Sequence, residues 1–374
     1  MNQRSIGFDL ARAYAILGMY IVNFTFCFGS FRDQSNLGKL SNLFIGNSTS
    51  IFIVCAGMGI MFLAKNHSAS FHDKNVLKSV ILKRSLFLFV IGLLLYNWWP
   101  GDILHFYAGY MHIAAFILFV PTRYYLWAAF VSLGVYFLLQ GLIPVTTSWD
   151  LQTTKYADFW SIKGFIRNTF YNGWNSIFPW FAYFSIGMYL GRQDWKNKRT
   201  RRNIFITGLA LLTIFKVLRL FIRYDFHNTE RNGFYIKYWS QLMEDYFPVN
   251  IPFFMITTGW ALVIISICMF IGNTFPNSKT VSMLANTGKM TLSHYVIHMT
   301  AGVILLGELT DKTYTGFPLM EDFVSTGIIL VYALIFFIGS IFFSYLWSKK
   351  FKYGPLESVM RYISDNKLHK RQRV

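Results

Sequence analysis

Ten apolar runs punctuate the chain, at about 10–28, 44–64, 79–98, 103–121, 124–143, 176–192, 203–222, 251–272, 285–307 and 323–347. Each is long enough to be read as a bilayer crossing. Hydrocarbon offers no partner to a backbone N–H or C=O, so such runs must satisfy themselves as helices. With 54% hydrophobic residues, 19% aromatics and only 14% charged residues over 374 positions, a soluble core is excluded. The expectation is an all-α polytopic membrane protein of about ten transmembrane helices. One helical domain covers 1–347, and a cytoplasmic basic tail follows at 348–374. The first run has no cleavage-site flank and carries charges where a signal peptide would be apolar, so it reads as a retained span. Cys27, Cys55 and Cys268 fall in or at spans with no disulfide or zinc spacing among them.

Charge sets the orientation. With both termini cytoplasmic, and Lys83 and Arg84 counted on that side, the inner segments hold 22 of the 35 Lys and Arg, and the outer segments hold 9. The other 4 (Arg12, Lys216, Arg219 and Lys289) lie in or beside spans. The positive-inside rule favours this arrangement. The net charge of +18 therefore reads as a topology and anionic-lipid signal, not as nucleic-acid binding. A cytoplasmic polyanion such as coenzyme A would find the same field.

The first span carries Asp9, Arg12 and Asn23, groups that are costly in lipid unless they face protein or a water-filled path. At about 100° per residue they share a side, and at about 1.5 Å per residue the line from Arg12 to Asn23 is roughly 16 Å long. One reading is structural: Asp9 and Arg12 lock the helix to its neighbours while Asn23 bonds across an interface. The other is that the line walls a reaction path.

Further polar groups recur at defined depths. WWPGDILHFYA, 98–108, breaks with Pro100 and Gly101 and opens the fourth span with Asp102, which capping alone would explain. His105, three residues on, is placed to be oriented by that carboxylate, a pairing suited to a general base. His112 follows at i+7. In the ninth span, His294 and His298 are i,i+4 on one face. With no Glu after the first and no third ligand nearby, they do not make a zinc site, and no metal is expected. Either they are satisfied interior histidines or they serve catalysis or the substrate path. Lys216 and Arg219, in the seventh span with Arg223 beyond them, are candidate substrate-binding cations, and Lys216 is deep enough to need a partner.

The long outer segments, 144–175 and 223–250, set Trp149, Tyr156, Trp160, Tyr171, Trp174, Tyr235, Tyr238 and Trp239 among Asp150, Asp158, Glu230, Glu244 and Asp245. That composition suits a sugar, and it equally suits an interfacial aromatic belt. After the tenth span, Leu356, Val359, Met360 and Ile363 recur at helical spacing behind Pro355. They predict a short amphipathic helix on the cytoplasmic surface or plugging the bundle there.

FDLARAYAILGMYIVNF at 8–24, PGDILHFYA at 100–108, FPWFAYFSIGMYLGR at 178–192, GKMTLSHYV at 288–296 and YGPLESVMR at 353–361 together resemble the YeiB-like family of bacterial membrane proteins. That family is similar to heparan-α-glucosaminide N-acetyltransferase among the transmembrane acyltransferases. The resemblance implies a multi-pass enzyme of the bacterial cytoplasmic membrane. It would take an acyl group, acetyl above all, from cytoplasmic acyl-CoA as co-substrate and deliver it to a sugar-like or envelope acceptor outside. Asp9 and Arg12 match the family's acidic-x-x-Arg start, Asn23 its first-helix Asn, and Tyr295 and His298 its late-helix pair. Three departures stand out. The loop after the first span, around Asp33 and Gln34, lacks the acetyltransferase's catalytic histidine. The family's Arg-Gly is Arg12-Ala13 here, and Leu94 stands where many relatives carry a His.

The mechanism expected on these residues needs no metal. His105, oriented by Asp102, takes the acceptor's proton, with His298 as second candidate base; Asn23 donates to the oxyanion; Arg12 and Lys289 hold coenzyme A phosphates; and His294, Lys216 and Arg219 line the substrate path. The expected partners are membrane lipids, acyl-CoA and a glycan acceptor, and a homodimer stays open. Two other classes also stay open: a proton-coupled transporter of a small solute, and a non-enzymatic membrane protein of envelope assembly.

Overall fold

The computed structural model describes residues 5–65, 71–150, 155–228, 246–314 and 323–369. Its helices run in order α1 (Ile6–Phe28), α2 (Asn36–Asn42), α3 (Asn47–Lys65), α4 (Phe71–Tyr96), α5 (Leu104–Ile117), α6 (Arg123–Leu142), α7 (Ile162–Arg167) and α8 (Ile177–Gly191). They continue as α9 (Lys198–Asn228), α10 (Ile251–Thr274), α11 (Lys279–Lys289), α12 (Thr291–Ile297), α13 (Val303–Thr310), α14 (Thr326–Ser348) and α15 (Pro355–His369). Among the described residues, strand is confined to one antiparallel pair, Trp149–Asp150 against Lys155–Tyr156.

All ten apolar runs fold as helix, and the chain is an all-α polytopic membrane protein. Among the described residues, eight helical stretches are long and apolar enough to cross a membrane by themselves. The fourth and sixth runs are shorter than expected: α5 has 14 residues and α8 has 15. At about 1.5 Å per residue each covers a little over 20 Å, short of a hydrocarbon core of about 30 Å.

The helix α1 is the hub. It packs against α3, α10, α11 and α14, and 72% of its apolar window is buried, against 6% for the Lys198–Phe221 stretch of α9, which leans on α10 at the rim. Close approach to α11 depends on Gly288, where an added Cβ would lie 1.8 Å from the Asp9 carbonyl oxygen.

One expectation needs correction. The ninth run is not one helix: α11 ends at Lys289, Met290 takes φ −112° and ψ 31°, α12 starts afresh, and a π-helical turn, His298–Gly302, leads into α13. The C-terminal amphipathic helix forms as expected. Val359 and Ile363 are exposed, and only Leu356 and Met360 pack on the core. Polar contacts add to the docking. Arg84 of α4 donates to both Asp365 carboxylate oxygens at 2.9 and 2.8 Å and to Ser364 Oγ at 3.2 Å, while Glu357 reaches α12. Arg12 bonds Thr291, and Glu357 bonds the neighbouring Leu292 and Ser293, so the start of α1 and the C-terminal helix gather at the same end of the bundle.

Candidate functional site

At the opposite end of α1 from Arg12 lies a cavity of about 580 Å³, its open mouth included. Its polar wall is Asn23 of α1, Ser48 and Thr49 of α3, and Asn175. Trp99, Trp174, Tyr246 and Tyr295 supply flat aromatic surface.

Two histidine units stand behind this wall. The first reaches it through Asn23. His298 Nδ1 is 3.1 Å from the His294 carbonyl oxygen, which can only accept, so Nδ1 carries the proton. Nε2 therefore presents its lone pair, and it accepts from Asn23 Nδ2 at 3.0 Å. The ring is fully buried, packed against Tyr20 and Tyr295 with centroids at 4.9 and 5.3 Å. Turning one side chain, Asn23, frees that nitrogen toward the cavity.

The second unit reaches the cavity through Tyr295. The Tyr295 hydroxyl donates to Asp102 Oδ1 at 3.1 Å and accepts from the Ile103 N–H at 3.2 Å. Asp102 Oδ2 accepts from the Leu104 and His105 amides at 2.8 and 3.2 Å, capping α5, and from His105 Nδ1 at 3.1 Å. Gly92 makes room for this turn: a Cβ there would stand 2.4 Å from His105 N. The Asp102–His105 pair predicted from sequence is thus formed, wholly buried. It does not face the path that Asn23 lines. His105 lies behind Asp102, its ring toward Tyr96 and Phe159 with centroids at 5.6 and 5.9 Å, and its buried Nε2 has no hydrogen-bond partner among the described residues.

Arg12 sits at the other end of α1, its guanidinium 3.9 Å from Asp9, bonded to Thr291 Oγ1 and set over the Phe8 ring. Lys289 Nζ donates to Asn286 Oδ1 at 2.9 Å nearby in sequence. The three residues expected on the substrate path fall elsewhere. His294 is buried and bonded to Ser344 Oγ at 2.7 Å. Lys216 and Arg219 ride on the peripheral α9, and none of the three lines the cavity. His112 is exposed, because α5 turns that face outward. Among the described residues, no three His, Cys, Asp or Glu side chains group as metal ligands.

Of the outer aromatics, Trp174 alone among the described ones named from sequence lines the cavity. Trp149, Tyr156 and Phe159 form a second cluster, and Tyr156 is tied to Arg167 and Asn172. Asp158 pairs with Arg167 at 2.8 Å, away from the cavity lining. Tyr235, Tyr238, Trp239, Glu230, Glu244 and Asp245 lie outside the described residues. The loop after α1 is fastened by Asp33, which accepts from the Thr326 hydroxyl at 2.5 Å and the Ser35 amide at 2.8 Å. These bonds, the Thr326 one foremost, hold its carboxyl below the ordinary value. Sequence reasoning misses Trp99, Asn175, Tyr246, Ser48 and Thr49 as lining residues; Asn175, Tyr246 and the two hydroxyls carry no spacing signal, and Trp99 reads as an outer-interface tryptophan.

Residues 4–212 match the family model described as heparan-alpha-glucosaminide N-acetyltransferase, catalytic. Residues 189–367 match the model described as a protein of unknown function, DUF418. No curated protein matches the chain.

Proposed function

The chain belongs to the heparan-alpha-glucosaminide N-acetyltransferase catalytic family, a family of membrane acetyltransferases, and from that premise we propose that it transfers an acyl group, acetyl foremost, from cytoplasmic acyl-CoA to a sugar-like envelope acceptor held in the cavity beside Asn23. The observation that carries the proposal is the Asn23–His298 contact, with the His298 tautomer held by the His294 carbonyl. The loop after α1, around Asp33 and Gln34, has no histidine to match the acetyltransferase's catalytic one, and Gln34 is exposed and donates to the Arg32 carbonyl. A base one side chain from the cavity answers that departure.

A thioester is already activated, so the work is positioning, deprotonation and charge stabilisation. Asn23 turns its amide N–H from His298 to the thioester carbonyl oxygen. The freed Nε2 takes the acceptor's O–H or N–H proton as the new C–O or C–N bond forms. The C–S bond then breaks, and the imidazolium returns that proton to the departing thiolate. Asp102 holds Tyr295 at the wall, and His105 holds Asp102. Arg12 and Lys289 are the donor-side cations; roughly 16 Å of α1 separates Arg12 from Asn23, the stretch an extended pantetheine arm has to cover. Aromatic rings and neutral amides and hydroxyls in the cavity support a ring-shaped polar acceptor.

The test is thiol release from acetyl-CoA by purified protein, with and without envelope glycans. Acceptor-dependent release is expected. Solute flux in liposomes with no coenzyme A consumption contradicts the proposal.

A further inference from the structure

The break at Met290 leaves α12 to begin inside the protein, with no side-chain cap from its own flank. The first amides of a helix lack intrahelical partners, and here they are met by a carboxylate more than sixty residues downstream. Leu292 N and Ser293 N donate to Glu357 Oε1 at 2.8 and 3.3 Å, and Ser293 Oγ donates to Glu357 Oε2 at 2.5 Å. Leu356 N returns a bond to Ser293 Oγ at 3.0 Å. Glu357 and Ser293 are both buried. Hydrogen bonds to an ionised acceptor are shorter and stronger than neutral ones, and a carboxylate at a helix start also meets the positive end of its dipole.

This helix carries the residues assigned to the chemistry. Tyr295, two residues beyond Ser293, holds Asp102 and the Ile103 amide. His298 follows at the start of the π-helical turn. The C-terminal helix that brings Glu357 is itself bolted to α4 by the buried Arg84–Asp365 pair. An axial slip of α12 by one residue is about 1.5 Å, enough to part both Tyr295 from Asp102 and His298 from Asn23.

We propose that Glu357 is a positioning residue for acyl transfer: it fixes α12 along its axis, and with it Tyr295 and His298 against the cavity wall. The proposal rests on the reading of His298 given above. Glu357 touches neither donor nor acceptor and acts through α12.

The test compares wild type, Glu357→Ala and Glu357→Gln as full-length protein in detergent or nanodiscs, with two readouts. The first is kcat at saturating acetyl-CoA against the KM for the donor. A displacement near 1 Å at a reacting group costs on the order of 10²-fold, so Glu357→Ala should lose roughly 10- to 100-fold in kcat with donor KM within about 2-fold. The Gln variant, which keeps one acceptor oxygen, should recover most of the loss. The second readout is the imidazole ¹⁵N spectrum of His298. The Nδ1–H signal, held by the His294 carbonyl of the same helix, should persist throughout, while the Nε2 resonance should shift in Glu357→Ala as its hydrogen bond from Asn23 is lost and return in Glu357→Gln.

Wild-type kcat together with an unchanged His298 spectrum in folded Glu357→Ala overturns the positioning role. So does a loss that tracks thermal stability and is not rescued by Gln. If wild type shows no transfer to any acceptor, the proposed reaction fails, and the spectrum alone then decides whether Glu357 positions His298.

Discussion

At one end of α1, Asp9 and Arg12 sit among polar partners from α12, with Lys289 and Asn286 close in sequence. At the other end, Asn23 faces a cavity whose lining, among the described residues, holds no Asp, Glu, Lys or Arg. One helix thus presents ionised groups where a polyanionic donor would dock and neutral groups where the transfer would occur. The contrast follows from what each task needs. Phosphates are held by fixed positive charge, whereas a base and an oxyanion donor work best where fixed dipoles, not mobile ions, meet the developing charge. His298 stands one residue behind the wall and His105 two, each with its Nδ1 anchored.

Breaking the cavity end should cost most. His298→Ala is expected to lower acceptor-dependent transfer by on the order of 10²- to 10⁴-fold, the range for a general base, with acyl-CoA binding near wild type by calorimetry. Asn23→Ala removes an oxyanion donor and should cost about 10²- to 10³-fold. Because the two act as a unit, the double variant should be little slower than His298→Ala alone; multiplied losses in single-turnover assays would separate them and break the comparison.

Breaking the charged end should look different. Arg12→Gln is expected to weaken acyl-CoA binding by about 1.5–3 kcal/mol, the size of a charge-assisted hydrogen bond, while the rate at saturating donor is kept. Added salt should weaken wild-type binding in the same direction. Unchanged affinity in titration calorimetry would return Arg12 to the structural role of locking α1 to α12.

The smallest effect is expected behind Tyr295. His105→Ala should slow transfer by roughly 10-fold or less, the scale of a displaced neighbour rather than of a lost base. Asp102→Ala removes the cap on α5 and should lower stability by about 0.5–2 kcal/mol, the worth of a cap, measured by denaturation in detergent.

Much of this contrast is legible in the sequence. Apolar run length gave an all-helical fold, because backbone satisfaction in lipid favours helix in each run, and the three-residue step from Asp102 to His105 gave a pair that does form. What the pattern could not give is which way a formed pair faces. His105 and Asn23 both lie on apolar spans, yet the turn at 98–103 sends His105 toward Tyr96 and leaves Trp99 on the cavity. The break at Met290 was hidden for a related reason. No proline marks it, and the carboxylate that satisfies the new helix start comes from Glu357, far along the chain.

The central claim is that the base belongs to the Asn23 side of the cavity and not to the Asp102 side. The direct measurement is acceptor-dependent thiol release from acetyl-CoA by His298→Ala and His105→Ala proteins, purified and assayed side by side with wild type at matched fold and saturating donor. The account predicts a near-dead His298→Ala and a His105→Ala within about 10-fold of wild type. A near-dead His105→Ala beside a fully active His298→Ala would contradict it.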